Sequence, residues 1–157
     1  DNLALAPQVQ PRERAVVALC DVGEPTVPDL VGAIADQDFN VRTLAILCLG
    51  RLGPKAKEAV PALVKTLDDR DWIVRRHAAG ALGLLEVTAG DAAPALARAA
   101  VEDSNSEVRQ TATFALRRLG PAAREATRPI LQQLSSAGAD ETVRNRAAEL
   151  LRDMESR

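Results

Sequence analysis

The strongest constraint in this chain is a short phrase that returns at nearly even intervals: Asp38-Phe39-Asn40-Val41-Arg42, Asp71-Trp72-Ile73-Val74-Arg75, Asn105-Ser106-Glu107-Val108-Arg109 and Asp140-Glu141-Thr142-Val143-Arg144. Its valine advances by 33, 34 and 35 residues from copy to copy. A period of this length makes each copy one supersecondary unit and limits the chain to a stack of such units. Counting from each Val, Ala stands at +4 (Ala45, Ala78, Ala112, Ala147), Leu at +8 (Leu49, Leu82, Leu116, Leu151) and Leu or Met at +11 (Leu52, Leu85, Leu119, Met154). Together with +7 (Cys48, Ala81, Ala115, Leu150), these offsets trace one stripe of an α-helix. Each unit therefore opens with an amphipathic helix.

The boundary signals agree. Asp38, Asp71, Asn105 and Asp140 stand where a side-chain oxygen can cap the free N–H groups of the first turn. Gly53-Pro54 and Gly120-Pro121 supply stops, because Gly accepts positive φ and Pro cannot extend the hydrogen-bond ladder. After a short elbow, a second helix is expected at Val27-Pro28-Asp29-Leu30, Val60-Pro61-Ala62-Leu63, Ala93-Pro94-Ala95-Leu96 and Thr127-Arg128-Pro129-Ile130, with Pro in a first turn that tolerates its missing donor. Ala15, Ala18, Leu19, Val22 and Gly23 match Ala45, Cys48, Leu49, Leu52 and Gly53 at a constant offset of 30, which marks a degenerate first unit; residues 1–10 lie outside the pattern. The expected fold is all-α, an α-solenoid of four helix pairs plus a C-terminal capping helix. It reads as one domain over 1–157, in units of about 11–35, 36–67, 68–100, 101–134 and 135–157. The irregular elbow Glu86-Val87-Thr88-Ala89-Gly90 fits a natural chain better than an idealised repeat, and the start at Asp1 without Met fits removal of an upstream segment.

A unit reading Asp-x-x-Val-Arg-x-x-Ala-x-x-Ala-Leu-x-x-Leu-Gly, followed by Ala-Val-Pro-Ala-Leu, resembles the short HEAT repeat of the phycobilisome-lyase-like subclass, from about residue 12 to 155. The resemblance implies the fold and leaves activity open, since such repeats occur in scaffolds, bacterial adaptor modules, lyases that attach bilin chromophores, a di-iron hydroxylase and relatives of DNA glycosylases. It also implies that the arginines at 42, 75, 109 and 144 pair with Asp or Asn of neighbouring turns, each exposed rung contributing about 0–1 kcal/mol. A di-iron hydroxylase needs paired His-Glu motifs, and a single histidine excludes it. A bilin lyase-like subunit stands as the alternative to a module without chemistry.

Charge and composition narrow the partners. Twenty Lys and Arg against 22 Asp and Glu give −2, with no basic block, so a nucleic acid is not the expected partner and the chain should pass through heparin at moderate salt. No apolar run reaches the roughly 18 residues of a membrane span, and the reading is a soluble, monomeric chain with a cytoplasmic location favoured. Cys20 and Cys48 are read as small buried apolar residues. At roughly 100° per residue they fall about 200° apart around their helices, so no disulfide is expected. His77 has Leu44, Thr111 and Arg146 as equivalents, which suits a helix boundary better than a catalytic base.

The expected function is a non-catalytic interaction or scaffold module, with no cofactor and no metal, binding a protein, a peptide or a neighbouring domain of its parent chain. Phe39 and Trp72 share a slot filled elsewhere by Ser106 and Glu141, so both rings are candidate interface anchors, with Arg76 beside them; the alternative is that they seal the junction between units. Phasing the second helices on Leu63, Val64 and Leu67 leaves a small-residued, nearly neutral inner face. Its candidate binding residues are Lys65, Thr66, Arg98, Gln132 and Gln133.

Overall fold

The computed structural model describes residues 11–23, 26–85, 89–136 and 140–155. The segment 1–10 and most of the elbow at 86–90 therefore lie outside the described residues. In chain order the helices are α1 (Pro11–Val22), α2 (Val27–Ala33), α3 (Phe39–Leu52), α4 (Val60–Thr66), α5 (Trp72–Leu84), α6 (Ala89–Glu102), α7 (Ser106–Leu119), α8 (Pro121–Leu134) and α9 (Glu141–Glu155). A 3-10 segment, Gly53–Ala59, joins α3 to α4. This is the expected architecture of four helix pairs and a closing helix. First helices stack on first helices (α1 on α3, α3 on α5, α5 on α7), and second helices on second helices (α4 on α6, α6 on α8).

The repeat's columns form the core. Ala45, Ala78, Ala112 and Ala147 are completely buried, as are Leu49 and Leu82, and Leu30, Leu63, Leu96 and Leu131 anchor the second helices. Gly53 at φ 57° and Gly120 at φ 74° end α3 and α7, conformations open to Gly and costly for residues with a Cβ. Asp38 accepts from the Asn40 N–H at 2.9 Å, Asn105 from Glu107 N–H at 2.8 Å and Asp140 from Thr142 N–H at 2.8 Å. Asp71 departs from expectation: its carboxylate makes no cap bond and instead takes the Arg42 guanidinium at 2.6 Å. The elbows also differ. α6 and α8 run without a break through Pro94 and Pro129.

Two members of the arginine column, Arg42 and Arg75, form rungs whose arginine side chains are only 5% and 14% exposed. Arg42 Nη1 donates to the carbonyls of Asp36 and Gln37, both at 3.0 Å, while its Nε reaches Asp69 of the next unit at 2.9 Å. Arg75 repeats the arrangement: Nη1 donates to the Asp69 carbonyl at 2.9 Å, and Nε and Nη2 fork onto Asp103 at 2.7 and 2.9 Å. Each receiving aspartate also accepts from the N–H two residues on, Asp69 from Asp71 and Asp103 from Asn105, at 2.8 Å. Burial alone would raise the Asp103 carboxyl, yet the Arg75 hydrogen bonds, the Asn105 N–H and the nearby Arg109 charge bring it below the usual carboxylate range. The side chains of Arg75 and Asp103 are only 14% and 7% exposed, so removing either partner strands a largely desolvated charge, which the exposed pairing expected from sequence would not do.

Cys20 and Cys48 form a disulfide across α1 and α3, their Cα atoms 5.2 Å apart, which corrects the reading of both as unbonded filler. The 200° separation explains the bond. One cysteine faces the following first helix and the other the preceding one, so opposite faces of neighbouring helices meet. Through the offset of 30, Cys20 occupies the slot of Gly50, nine residues after the unit's Val, and Cys48 occupies the +7 slot. The same two slots meet at the next junctions. A β-carbon on Gly50 would lie 3.5 Å from Cβ of Ala81, and one on Gly83 only 2.9 Å from Cα of Ala115.

Candidate interaction surfaces

Phe39 and Trp72 each open a first helix directly after its capping residue, with side chains directed away from the +4, +7 and +8 stripe. They are 42% and 39% exposed, so each ring presents part of its surface to solvent. The Arg76 guanidinium lies 5.7 Å from the centroid of the Trp72 ring, one helical turn along α5, and its Nη1 is 3.6 Å from a Glu107 carboxylate oxygen. A cation over an indole face holds both side chains in a fixed pose at modest energy, about 0.5–1 kcal/mol at an exposed site.

The other candidates sit on the second helices. Lys65 on α4, Arg98 on α6 and Gln132 and Gln133 on α8 are exposed, and Arg98 leans toward Glu102 at 3.7 Å one turn away. Thr66 does not belong with them. It is buried, and its hydroxyl donates back to the Ala62 carbonyl at 2.7 Å. Three residues from Leu63, it lies about 60° around the helix from that buried side chain, close enough for a neighbouring helix to cover it. Its equivalents Ala99 and Leu134, three residues after Leu96 and Leu131, are buried for the same reason. The structure thus joins Trp72 to Arg76 directly and places Phe39 on α3, Lys65 on α4, Arg98 on α6 and Gln132 with Gln133 on α8.

His77 is half-buried on α5. Burial, reinforced by the Arg76 charge, pushes its imidazole below the ordinary histidine range, and Arg76 Nη2 is 3.4 Å from its Nε2. It borders an open groove of about 290 Å³ whose wall includes Ile46, Leu47, Leu84 and Thr111. Among the described residues no group of three or more His, Cys, Asp and Glu side chains is arranged to hold a metal ion. No helix of the described residues is long and apolar enough to cross a membrane.

Several surface features escaped the sequence reading. Leu47 and Phe114, both six residues after their Val, are 43% and 61% exposed, a signal visible in the +6 column. The last first-helix junction also differs from the others. Its +9 slot holds Arg117, which reaches Asp153 of α9 at 2.7 Å, and α9 packs chiefly on α8 with a lesser contact to α6. Between α7 and α9 lies an open groove of about 700 Å³ lined by Arg109, Gln110, Phe114 and Arg146.

Comparison with known proteins bears on the whole repeat rather than on one of these surfaces. The family model for HEAT repeats matches residues 3–83 and again 60–152. No curated protein matches the chain. Among solved structures, the complex of CpcE and CpcF of phycocyanin lyase from Nostoc sp. is 24% identical with a TM-score of 0.63, over 98% of this chain and 62% of that one. Two engineered proteins are 25% and 26% identical, each with a TM-score of 0.56; they cover 92% and 91% of this chain, which spans 67% and 40% of theirs. With its recurring Val-Arg phrase, its stacked helix pairs and a family match that spans nearly all of both, the chain belongs to the HEAT-repeat family.

Proposed function

We propose that the chain is a non-catalytic interaction module that binds a protein or peptide through its second-helix face and the Phe39/Trp72 edge. The observation that carries this reading is Trp72. An indole two-fifths exposed, held in place by Arg76, offers a partner a large rigid apolar surface with little side-chain entropy left to lose. Phe39 extends the edge, and Lys65, Arg98, Gln132 and Gln133 give the second-helix face hydrogen-bonding capacity without strong charge. The Cys20–Cys48 bridge supports an oxidising compartment over the cytoplasmic location expected from composition.

A pull-down from the source cell with the wild-type chain and with Trp72→Ala tests the proposal. The variant should lose the captured protein, with affinity falling about thirtyfold if the indole is a hot spot. Equal capture by both would reject the edge. A second reading, a bilin lyase-like subunit, draws on the likeness to phycocyanin lyase subunits. Mixing with a bilin separates the two, since a lyase-like subunit changes the chromophore's absorbance and an interaction module leaves it unaltered.

A further inference from the structure

Arg109 is the exception in the arginine ladder. Its Nη1 donates to the Asp103 and Ser104 carbonyls at 2.8 and 3.0 Å, the same tether that holds Arg42 and Arg75. In those two residues the Nε and Nη2 edge then meets an aspartate of the following unit. The register that places Asp69 and Asp103 there reaches Gly138 in the sequence, which carries no carboxylate. Asp140 turns its carboxylate to its own helix end at Thr142. Among the described residues, no carboxylate oxygen lies in ion-pair range of Arg109 or of Arg146, whose Nη1 donates to the Val101 carbonyl at 3.2 Å. Both arginines line the groove between α7 and α9. The facing charges there are Glu149 and the already joined Arg117–Asp153 pair, so the groove carries a net positive charge. Phe114, 61% exposed, lines the same groove.

From this geometry we propose that the α7/α9 groove binds a segment of another protein that carries an Asp or Glu carboxylate beside an apolar side chain. The carboxylate takes the Nε and Nη2 edge of Arg109, in the manner of Asp103 on Arg75, and the apolar side chain covers Phe114. The guanidinium is already tethered in the pose its neighbours use for bidentate pairing, so little ordering cost falls on the bound state. Charge complementarity selects an acidic segment, and the exposed ring selects one that is not uniformly polar. This surface is separate from the second-helix face and the Phe39/Trp72 edge, so the two proposals stand independently.

The test uses two short acetylated peptides, one alternating Glu and Leu and its twin alternating Gln and Leu, titrated into the isotopically labelled chain and followed by NMR. The acidic peptide should bind saturably, shifting the Arg109 Nε–H and Phe114 ring signals, and the neutral twin should bind about tenfold more weakly. Arg109→Gln should weaken the acidic peptide about tenfold, and Phe114→Ala, an exposed change that leaves the core untouched, about fivefold. Equal binding of the twins, no saturation up to about 1 mM, or unchanged affinity in Phe114→Ala would overturn the proposal.

Discussion

The junction between α5 and α7 and the one between α7 and α9 come from the same repeat and come out differently. At the first, Gly83 meets Ala115 so closely that a β-carbon would touch backbone. At the second, the slot of Gly83 holds Arg117, and α9 packs on α8 and α6, leaving an open groove. The residue nine positions after the Val therefore sets how near two first helices can come. Glycine closes the stack, a long charged side chain opens it, and at the amino-terminal end a disulfide occupies the same place. The lesson is that a solenoid's binding clefts are written in the few slots where side-chain size controls helix approach.

The largest way to break this comparison is chemical. Reduction of the Cys20–Cys48 bridge, or Cys20→Ser with Cys48→Ser, removes a crosslink over 28 residues and should lower unfolding stability by about 3 kcal/mol in urea titrations. Gly83→Leu should cost about 2–3 kcal/mol by overpacking against Ala115, whereas Arg117→Leu in the equivalent slot should stay within about 1 kcal/mol, because that junction has room.

Asp103→Ala should cost about 2 kcal/mol, as it strands a largely buried Arg75. Because the Asp103 carboxyl is depressed in the folded chain, its contribution is complete above the unfolded value of about 3.9 and is lost as pH falls through the lower folded value. Acid titration of stability should therefore be shallower in Asp103→Asn than in the wild type. The smallest effect is at the exposed Arg117–Asp153 pair, 46% and 28% exposed, where Asp153→Ala should change stability by less than about 1 kcal/mol and the change should shrink further in salt.

Much of the fold was legible because the first helices state their period locally, with caps at Asp38, Asn105 and Asp140 and stops at Gly53 and Gly120. The columns of Ala45, Ala78, Ala112 and Ala147 needed no tertiary knowledge to be read as core. What escaped was relational. Cys20 and Cys48 looked incompatible while their angular positions were compared as though on one helix, and became partners once opposite faces of adjacent helices were set together. Thr66 looked exposed because its own helix allows it, and is buried because a neighbouring helix covers that flank. That Arg109 meets no carboxylate among the described residues follows from the sequence a full unit away, where the register of Asp69 and Asp103 falls on Gly138. Phe39 and Trp72 share a slot with Ser106 and Glu141, which left exposed rings and junction seals as two readings, and the structure leaves both rings about two-fifths exposed.

The central claim is that +9 against +7 is the register of the α1/α3, α3/α5 and α5/α7 junctions, that residue size at +9 sets the spacing there, and that Arg117 in the +9 slot breaks this register between α7 and α9. Engineered cysteines test it most directly. In a Cys20→Ser, Cys48→Ser background, Gly50→Cys with Ala81→Cys should oxidise readily to an intramolecular disulfide, since the β-carbons would lie 3.5 Å apart, within the range such a bond requires. Arg117→Cys with Leu150→Cys should remain largely unbridged under the same oxidant. Failure of the first pair to close, or equal closure of both, would contradict the account.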